Sequence, residues 1–191
     1  MLPVSVETLR VRVGLDSSDA SRDDDINYAS ELSLSLMGNY CDRLFPEEAD
    51  YEEIFTHKRG MSLSLIRYPI TVVTSIIDSN GTVVSAYHTA AKRGIVNLDA
   101  YGCFHEVTVI YTGGYVEGGF PADLLSAFYG IFDQEFAAIG TSSSSAVISS
   151  VTVQDVGTVR FDTGGANDSS GAAYLPTSAA AILDNYKRYK C

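Results

Sequence analysis

Residues 108–132 read TVIYTGGYVEGGFPADLLSAFYGIF. An alternating β-branched run meets two glycine pairs, then a proline, then apolar residues at helical spacing. The run EVTVIYT before the glycines sets Val107, Val109 and Tyr111 on one face of a strand. Pro121 suits a first helical position, and Leu124, Leu125, Phe128, Ile131, Phe132 and Phe136 make a wide apolar stripe behind it. A half-apolar strand that hands over directly to an amphipathic helix requires helices packed beside a small sheet.

Strand, glycine loop and helix is also the layout of phosphate-binding loops. A P-loop needs Gly-x4-Gly-Lys-Ser/Thr, with the lysine on the terminal phosphates. Here Gly118-Gly119 run into Phe120-Pro121, and no lysine stands between Arg93 and Arg160. A dinucleotide fingerprint fails on spacing, and Glu117 puts a negative charge where phosphate would sit. The glycines therefore read as a tight strand-to-helix connection.

The same reasoning covers the rest of the chain. Residues 6–13 suit a short helix or an edge segment closed by Gly14. SSDASRDDD is a helix start, with acids placed for a first turn. From it Ile26, Ala29, Met37, Tyr40, Cys41 and Leu44 form a stripe of roughly twenty residues, which Phe45-Pro46 should end. Glu47, Glu48 and Asp50 read as a solvated loop. MSLSLI (61–66) alternates, and Pro69 marks an edge or bend. TVVTSIID and TVVSAY flank Ser79, Asn80 and Gly81, a strong hairpin signal, and 95–98 is a short strand. After Gly140 the run TSSSS reads as a hinge. VISSVTV and TVRF then suggest a hairpin or arm, DTGGANDSSGAA carries no core residues, and PTSAAAILDNYKRYK closes as a short helix. The expected fold is α+β, mainly helical: a small helical core with a β-hairpin or small antiparallel sheet, and an extended C-terminal arm ending in a short helix. The expected division is a core domain of helices plus β-hairpin over 1–140 and a flexible C-terminal arm with a docking helix over 141–191.

Charge narrows the functional classes. Thirteen basic against 24 acidic residues leave a net charge of -11. Such a surface repels DNA phosphates, so gripping of nucleic acid is disfavoured, whereas a conduit through which DNA slides is compatible. The opening MLPVSVETLRVRVGLD has neither the basic n-region nor the apolar run of a secretory leader. No window approaches eighteen apolar residues, so no transmembrane helix is expected. Three cysteines, Cys41, Cys103 and Cys191, suit a reducing compartment better than a disulfide framework.

Catalytic patterns are thin. His57, His88 and His105 show no metal-ligand spacing with one another or with Cys103. No Gly-x-Ser-x-Gly elbow occurs, and Ser142–Ser145 sit in the hinge. Abundant Asp and Glu leave a glycosidase-type pair open, although Asp23, Asp24 and Asp25 suit a helix N-terminus better. No catalytic residue, cofactor or metal is assigned. The stronger features concern assembly: twelve tyrosines, no tryptophan, and a terminal helix ending Tyr186-Lys187-Arg188-Tyr189-Lys190. That helix either docks on a partner or packs on its own domain.

The order of motifs decides between classes. DDDINYASELSLSLMGNYCDRLF, then MSLSLIRYPITVVTSIIDSNGTVV, then VTVIYTGGY and FPADLLSAFYGIFDQEF resembles the head-tail connector (adaptor) proteins of tailed bacteriophages. The match rests on Cys41-Asp42-Arg43-Leu44-Phe45, on Leu65 to Pro69 with Ile70 and Val73, on Val109 to Tyr115, and on Pro121, Leu124 and Ala127. It covers about residues 5–140, with an echo at Leu175, Pro176, Ile182, Leu183, Tyr186 and Arg188. The stretch 162–173 departs from it.

The resemblance implies a structural virion protein, assembled in the host cytoplasm and placed at the head-tail junction. It would form a homo-oligomeric ring of about twelve copies between portal and tail. That dodecameric neck component extends the DNA channel and offers a platform for tail attachment. It further implies portal binding through Leu175, Ile182, Leu183, Tyr186 and Arg188, with Ser79, Asn80 and Gly81 as a hairpin tip facing the next neck or tail component. Acids lining the channel would let DNA pass without specific binding; no membrane and no cofactor are implied. The competing readings are a tail completion or stopper-type neck protein and, from another class, a carboxylate-dependent cell-wall hydrolase.

Overall fold

A computed structural model describes residues 2–59, 62–99, 103–141, 150–153, 157–160 and 175–188. Among them are four helices and small antiparallel sheets, an α+β architecture with two hydrophobic clusters. One cluster is helical and the other lies between two sheets.

The helical cluster is built by α1 (Val6–Arg12), α2 (Asp23–Cys41), α3 (Ala122–Thr141) and α4 (Thr177–Leu183). Ser5 caps α1 by accepting from the Thr8 amide. Arg10 Nε donates to Asp23 at 2.8 Å, so the first helix is tied to the first turn of the second. Leu9, Ile26, Ala29, Met37 and Cys41 turn inward to meet Leu124, Phe128, Ile131 and Phe132. Phe128, Phe132 and Phe136 stack in sequence down α3, with centroids 6.0 and 5.7 Å apart.

The second helix stops four residues before the expected Phe45. Asp42 takes a left-handed conformation (φ 53°), and the Arg43 amide bonds back to Gly38 O at 3.1 Å. Residues 42–46 are thereby freed to cross toward the sheets.

Strand β1 (Glu48–Arg59) occupies the region expected to begin as a solvated loop. Its inward positions are Tyr51, Glu53 and Phe55, and the carboxylate in the middle hides the alternation from a hydrophobicity reading. The other strands are β2 (Ser62–Ser64), β3 (Ile70–Asp78), β4 (Tyr87–Ala90), β5 (Ile95–Leu98) and β6 (Cys103–Gly113). They form two sheets, in the orders β1-β6-β3 and β2-β5-β4. Val107, Val109, Tyr111, Phe55 and Ile76 of the first sheet pack with Leu63, Val96 and Leu98 of the second.

The turn at Ser79–Gly81 forms as its Asn-Gly pair requires, with Asp78 Oδ1 accepting from the Asn80 and Thr82 amides. The return limb is not a full hairpin strand. It touches β3 through the Val84 amide on Ile76 O and a bridge of Val83 with Ile77, and the chain then crosses to the other sheet as β4. β7 (Ser150–Val153) and β8 (Gly157–Arg160) pair with each other as a separate two-stranded sheet. Residues 162–173 and Ser142–Ser145 lie outside the described residues.

The glycine pair after β6 serves packing. Gly114 has φ 108°, and a Cβ there would stand 2.5 Å from Pro46 O. This lets the segments 45–47, 69 and 113–115 exchange backbone hydrogen bonds, Tyr115 N to Phe45 O at 2.8 Å among them. Gly118 also has positive φ, but open space surrounds it. Gly114→Ala should therefore cost well above the ~1–2 kcal/mol that a left-handed residue alone costs, and Gly118→Ala only about that much. Urea midpoints of the two variants would check the order; equal losses would contradict it.

Candidate functional site

The five C-terminal residues singled out in the sequence come together, on their own domain. Leu183 is fully buried in the helical cluster beside Ala179, and Leu175, Ile182 and Tyr186 are half-buried against it. Side-chain ties hold the segment at its C-terminal end. Tyr186 Oη donates to Asp123 at 2.8 Å, Tyr68 Oη donates to Tyr186 O at 3.2 Å, and Tyr40 Oη donates to Asp184 at 2.8 Å. Lys187 pairs with Asp184 at 2.8 Å and lies 4.3 Å from the Tyr40 ring centroid. Residues 175–188 thus form a strap across the open side of α2 and α3.

Arg188 carries the strap to the sheets. Its amide donates to Cys41 O at 2.8 Å, and its guanidinium pairs with Glu53 Oε1 at 3.0 Å and donates to Ser64 O. The other oxygen of Glu53 accepts from the Ile66 amide and Tyr111 Oη, both at 2.9 Å. The inward carboxylate of β1 is therefore satisfied by three donors, one each from β6, the segment after β2 and the strap. Burial, with Glu53 alongside, pushes the Tyr111 hydroxyl far above its ordinary range. Cys41 lies under the strap, Sγ 3.4 Å from Leu183 O, and burial pushes its thiol up to about 12.

Between strap and sheets lies Arg43, 2% exposed. Its guanidinium carbon sits 3.4 Å from the Tyr68 ring centroid, 4.5 Å from Phe45 and 5.7 Å from Tyr115. It donates to Tyr68 O, and Nε has no hydrogen-bond partner among the described residues. Burial lowers its proton affinity, while the nearby tyrosines oppose that. Phe45 in turn meets Tyr186 edge-on at 6.5 Å. The CxRxF run is thus the joint between the helical layer, the sheets and the strap, a role that its residue types did not announce.

Ser79, Asn80 and Gly81 stay exposed at the end of β3, held by Asp78. A cleft of about 350 Å³ between Leu34 of α2 and Pro46 is lined by the ion pair of Arg67 with Glu48 and by a second acid, Glu47. His88 is exposed beside Asp99 at 3.5 Å. His57, Cys103 and His105 stand in β1 and β6, and their side chains lie outside the described part. No group of three or more His, Cys, Asp or Glu suited to a metal occurs among the described residues, and no described helix is long and apolar enough to cross a membrane.

Two measurements test the strap. Arg188→Ala should cost about 2–4 kcal/mol, because it leaves Glu53 charged and partly stranded. A double-mutant cycle with Glu53→Gln should return a coupling of about 1–3 kcal/mol; purely additive losses would mean that the pair is incidental. Hydrogen bonds from Lys187 and then Tyr40 hold the Asp184 carboxyl below its ordinary value. A depressed carboxylate lends stability above its unfolded value, near ~3.9, and loses it as pH falls through the lower folded value. Protection of amides 180–188 should therefore drop below about pH 4, and Asp184→Asn should weaken that dependence.

No protein-family model and no curated protein matches the chain. Solved structures do. A chain in the neck of an empty GTA particle computed with C6 symmetry superposes at a TM-score of 0.62, with 14% identity over 99% of this chain and 91% of that one. A chain in the virion of a native gene transfer agent particle gives 0.58 at 17% identity, over 100% and 91%. A chain in the neck of a native GTA particle computed with C12 symmetry gives 0.50 at 16%, over 100% and 97%. At such identities the likeness establishes a shared fold, and it spans the whole chain, strap included.

Proposed function

We propose that this chain is a structural subunit of the neck of a phage-like particle, an adaptor that forms a ring between portal and tail. The observation that carries the reading is the end-to-end fold match with chains from necks computed with six- and twelvefold symmetry. A ring of head-to-tail copies is the assembly such symmetry implies. The matched chains are particle components, which supports a structural rather than a catalytic role. Acidic composition supports a channel wall that repels DNA phosphates.

The two contact regions carry over differently. Ser79, Asn80 and Gly81 are exposed and meet a tail-side component without rearrangement. Leu183 is buried and Arg188 is paired with Glu53, so portal docking through Leu175, Ile182, Leu183, Tyr186 and Arg188 requires the strap to unseat and the portal to replace its contacts. A tail-side stopper shares the fold argument but predicts no affinity for the portal.

Native mass spectrometry of the full chain, alone and with its cognate portal ring, tests the reading. A complex with one fixed, high number of copies per portal is expected. Binding to tail tube but not to portal would replace the adaptor with the stopper reading, and indifference to both would overturn the neck assignment.

A further inference from the structure

The seat that holds the end of the strap reads a short segment by side chain and backbone together. Asp123 of α3 accepts the Tyr186 hydroxyl at 2.8 Å, and Phe45 meets that ring edge-on. Tyr68 Oη donates to Tyr186 O at 3.2 Å, and Cys41 O of α2 accepts the Arg188 amide at 2.8 Å. Lys187 between them is extended, with ψ 140°. Around the arginine, Glu53 Oε1 of β1 stands 3.0 Å from Nη2, Ser64 Oγ of β2 stands 3.3 Å from Nε, and Ser64 O accepts from Nη2. A tyrosine and an arginine two residues apart, on an extended backbone, satisfy these groups.

Glu53 keeps its aim independently of the strap. Its second oxygen accepts from the Ile66 amide and Tyr111 Oη, both at 2.9 Å, so the carboxylate is fixed from behind while Oε1 faces Arg188. The two side chains of the pair are 14% and 18% exposed. Removing the cation from so enclosed an acid is costly, whereas exchanging it for another cation is not. A fork that meets a carboxylate, a carbonyl and a hydroxyl at once is the property of a guanidinium rather than an ammonium. The upstream half of the strap is held by less: α4 has seven residues, no side-chain cap at its N-terminus, and two buried side chains, Ala179 and Leu183.

We propose that this seat receives a Tyr-x-Arg segment of the portal, which takes the place of residues 186–188 on docking, an assignment that rests on the adaptor reading. Charge complementarity selects the occupant: the carboxylates of Glu53 and Asp123, with the carbonyls of Cys41 and Ser64, call for a segment that brings a guanidinium and an aromatic hydroxyl. The strap holds that place in the free chain. It leaves as the partner's arginine arrives, so Glu53 is never left without a cation, and Leu175, Ile182 and Leu183 become available to the portal in the same exchange. The acceptors need no rearrangement, which keeps the cost of binding low.

Hydrogen exchange of the full chain, read by mass spectrometry with and without its cognate portal ring, tests the exchange. On docking, amides 180–188 are expected to lose protection while the Ile66 amide, held by Glu53, keeps it. Docking with the strap still protected would overturn the proposal and leave the adaptor reading standing. Loss at both places would mean an emptied seat, and would overturn it equally. Loss of strap protection on self-association without the portal would give the seat to a second copy and overturn the portal as its occupant. Absence of any portal complex would overturn both readings. A synthetic peptide with the sequence of residues 182–188 probes the seat directly. It should bind the full chain carrying Tyr186→Phe at least about tenfold more tightly than the same peptide with Arg188→Ala; equal affinities would overturn recognition of the arginine.

Discussion

The fold depends on a buried cation. Arg43 leaves the end of α2 and is shut between the rings of Tyr68, Phe45 and Tyr115. Taking a guanidinium out of water without a carboxylate beside it costs several kcal/mol on its own. Aromatic faces at van der Waals distance return part of that, about 2 kcal/mol where the site is desolvated, and the Tyr68 carbonyl takes a charge-assisted hydrogen bond. The net effect is specificity. Each ring comes from a different stretch: the crossover after α2, the segment before β3, and the loop between β6 and α3. Only one arrangement of helices against sheets encloses the charge on all these sides.

The strap completes that enclosure. Phe45, one wall of the arginine's box, rests on Tyr186, and Tyr68, the other wall, donates to the Tyr186 carbonyl. Arg188 then repeats the theme with a different solution, a carboxylate partner in Glu53 that also orders Tyr111 and the Ile66 amide. Two arginines, one satisfied by rings and one by a carboxylate, hold two otherwise independent hydrophobic clusters in register.

The sequence disclosed what periodicity and turn chemistry control. The stripe of α2, the proline start of α3, β5, the alternation of β6 and the Ser79–Gly81 turn all stand where their residues place them. β1 was hidden because Glu53 interrupts its inward apolar positions, and its compensating partners lie 13, 58 and 135 residues away. The end of α2 was misplaced because proline is a conspicuous stop, whereas a left-handed Asp42 is not. At the C-terminal helix the pattern left docking and self-packing equally open. The structure shows self-packing, because Leu183 fits a space that only the folded α2–α3 pair creates. The joint at Arg43 had a signal in its tight spacing to Phe45, but no local rule converts one arginine among aromatics into a hinge of the fold.

The long reach of the strap has a kinetic consequence. Its ties span 144 residues between Tyr40 and Asp184 and 135 between Glu53 and Arg188. Contacts of such separation form late, since loop closure must be met before they reward it. Until the strap is seated, the helical cluster lacks Ala179 and Leu183, and the seam between the two clusters stays open to water. Leu183, Cys41 and the aromatic walls are open at that stage, and chaperones or premature self-association compete with the strap for the same surface.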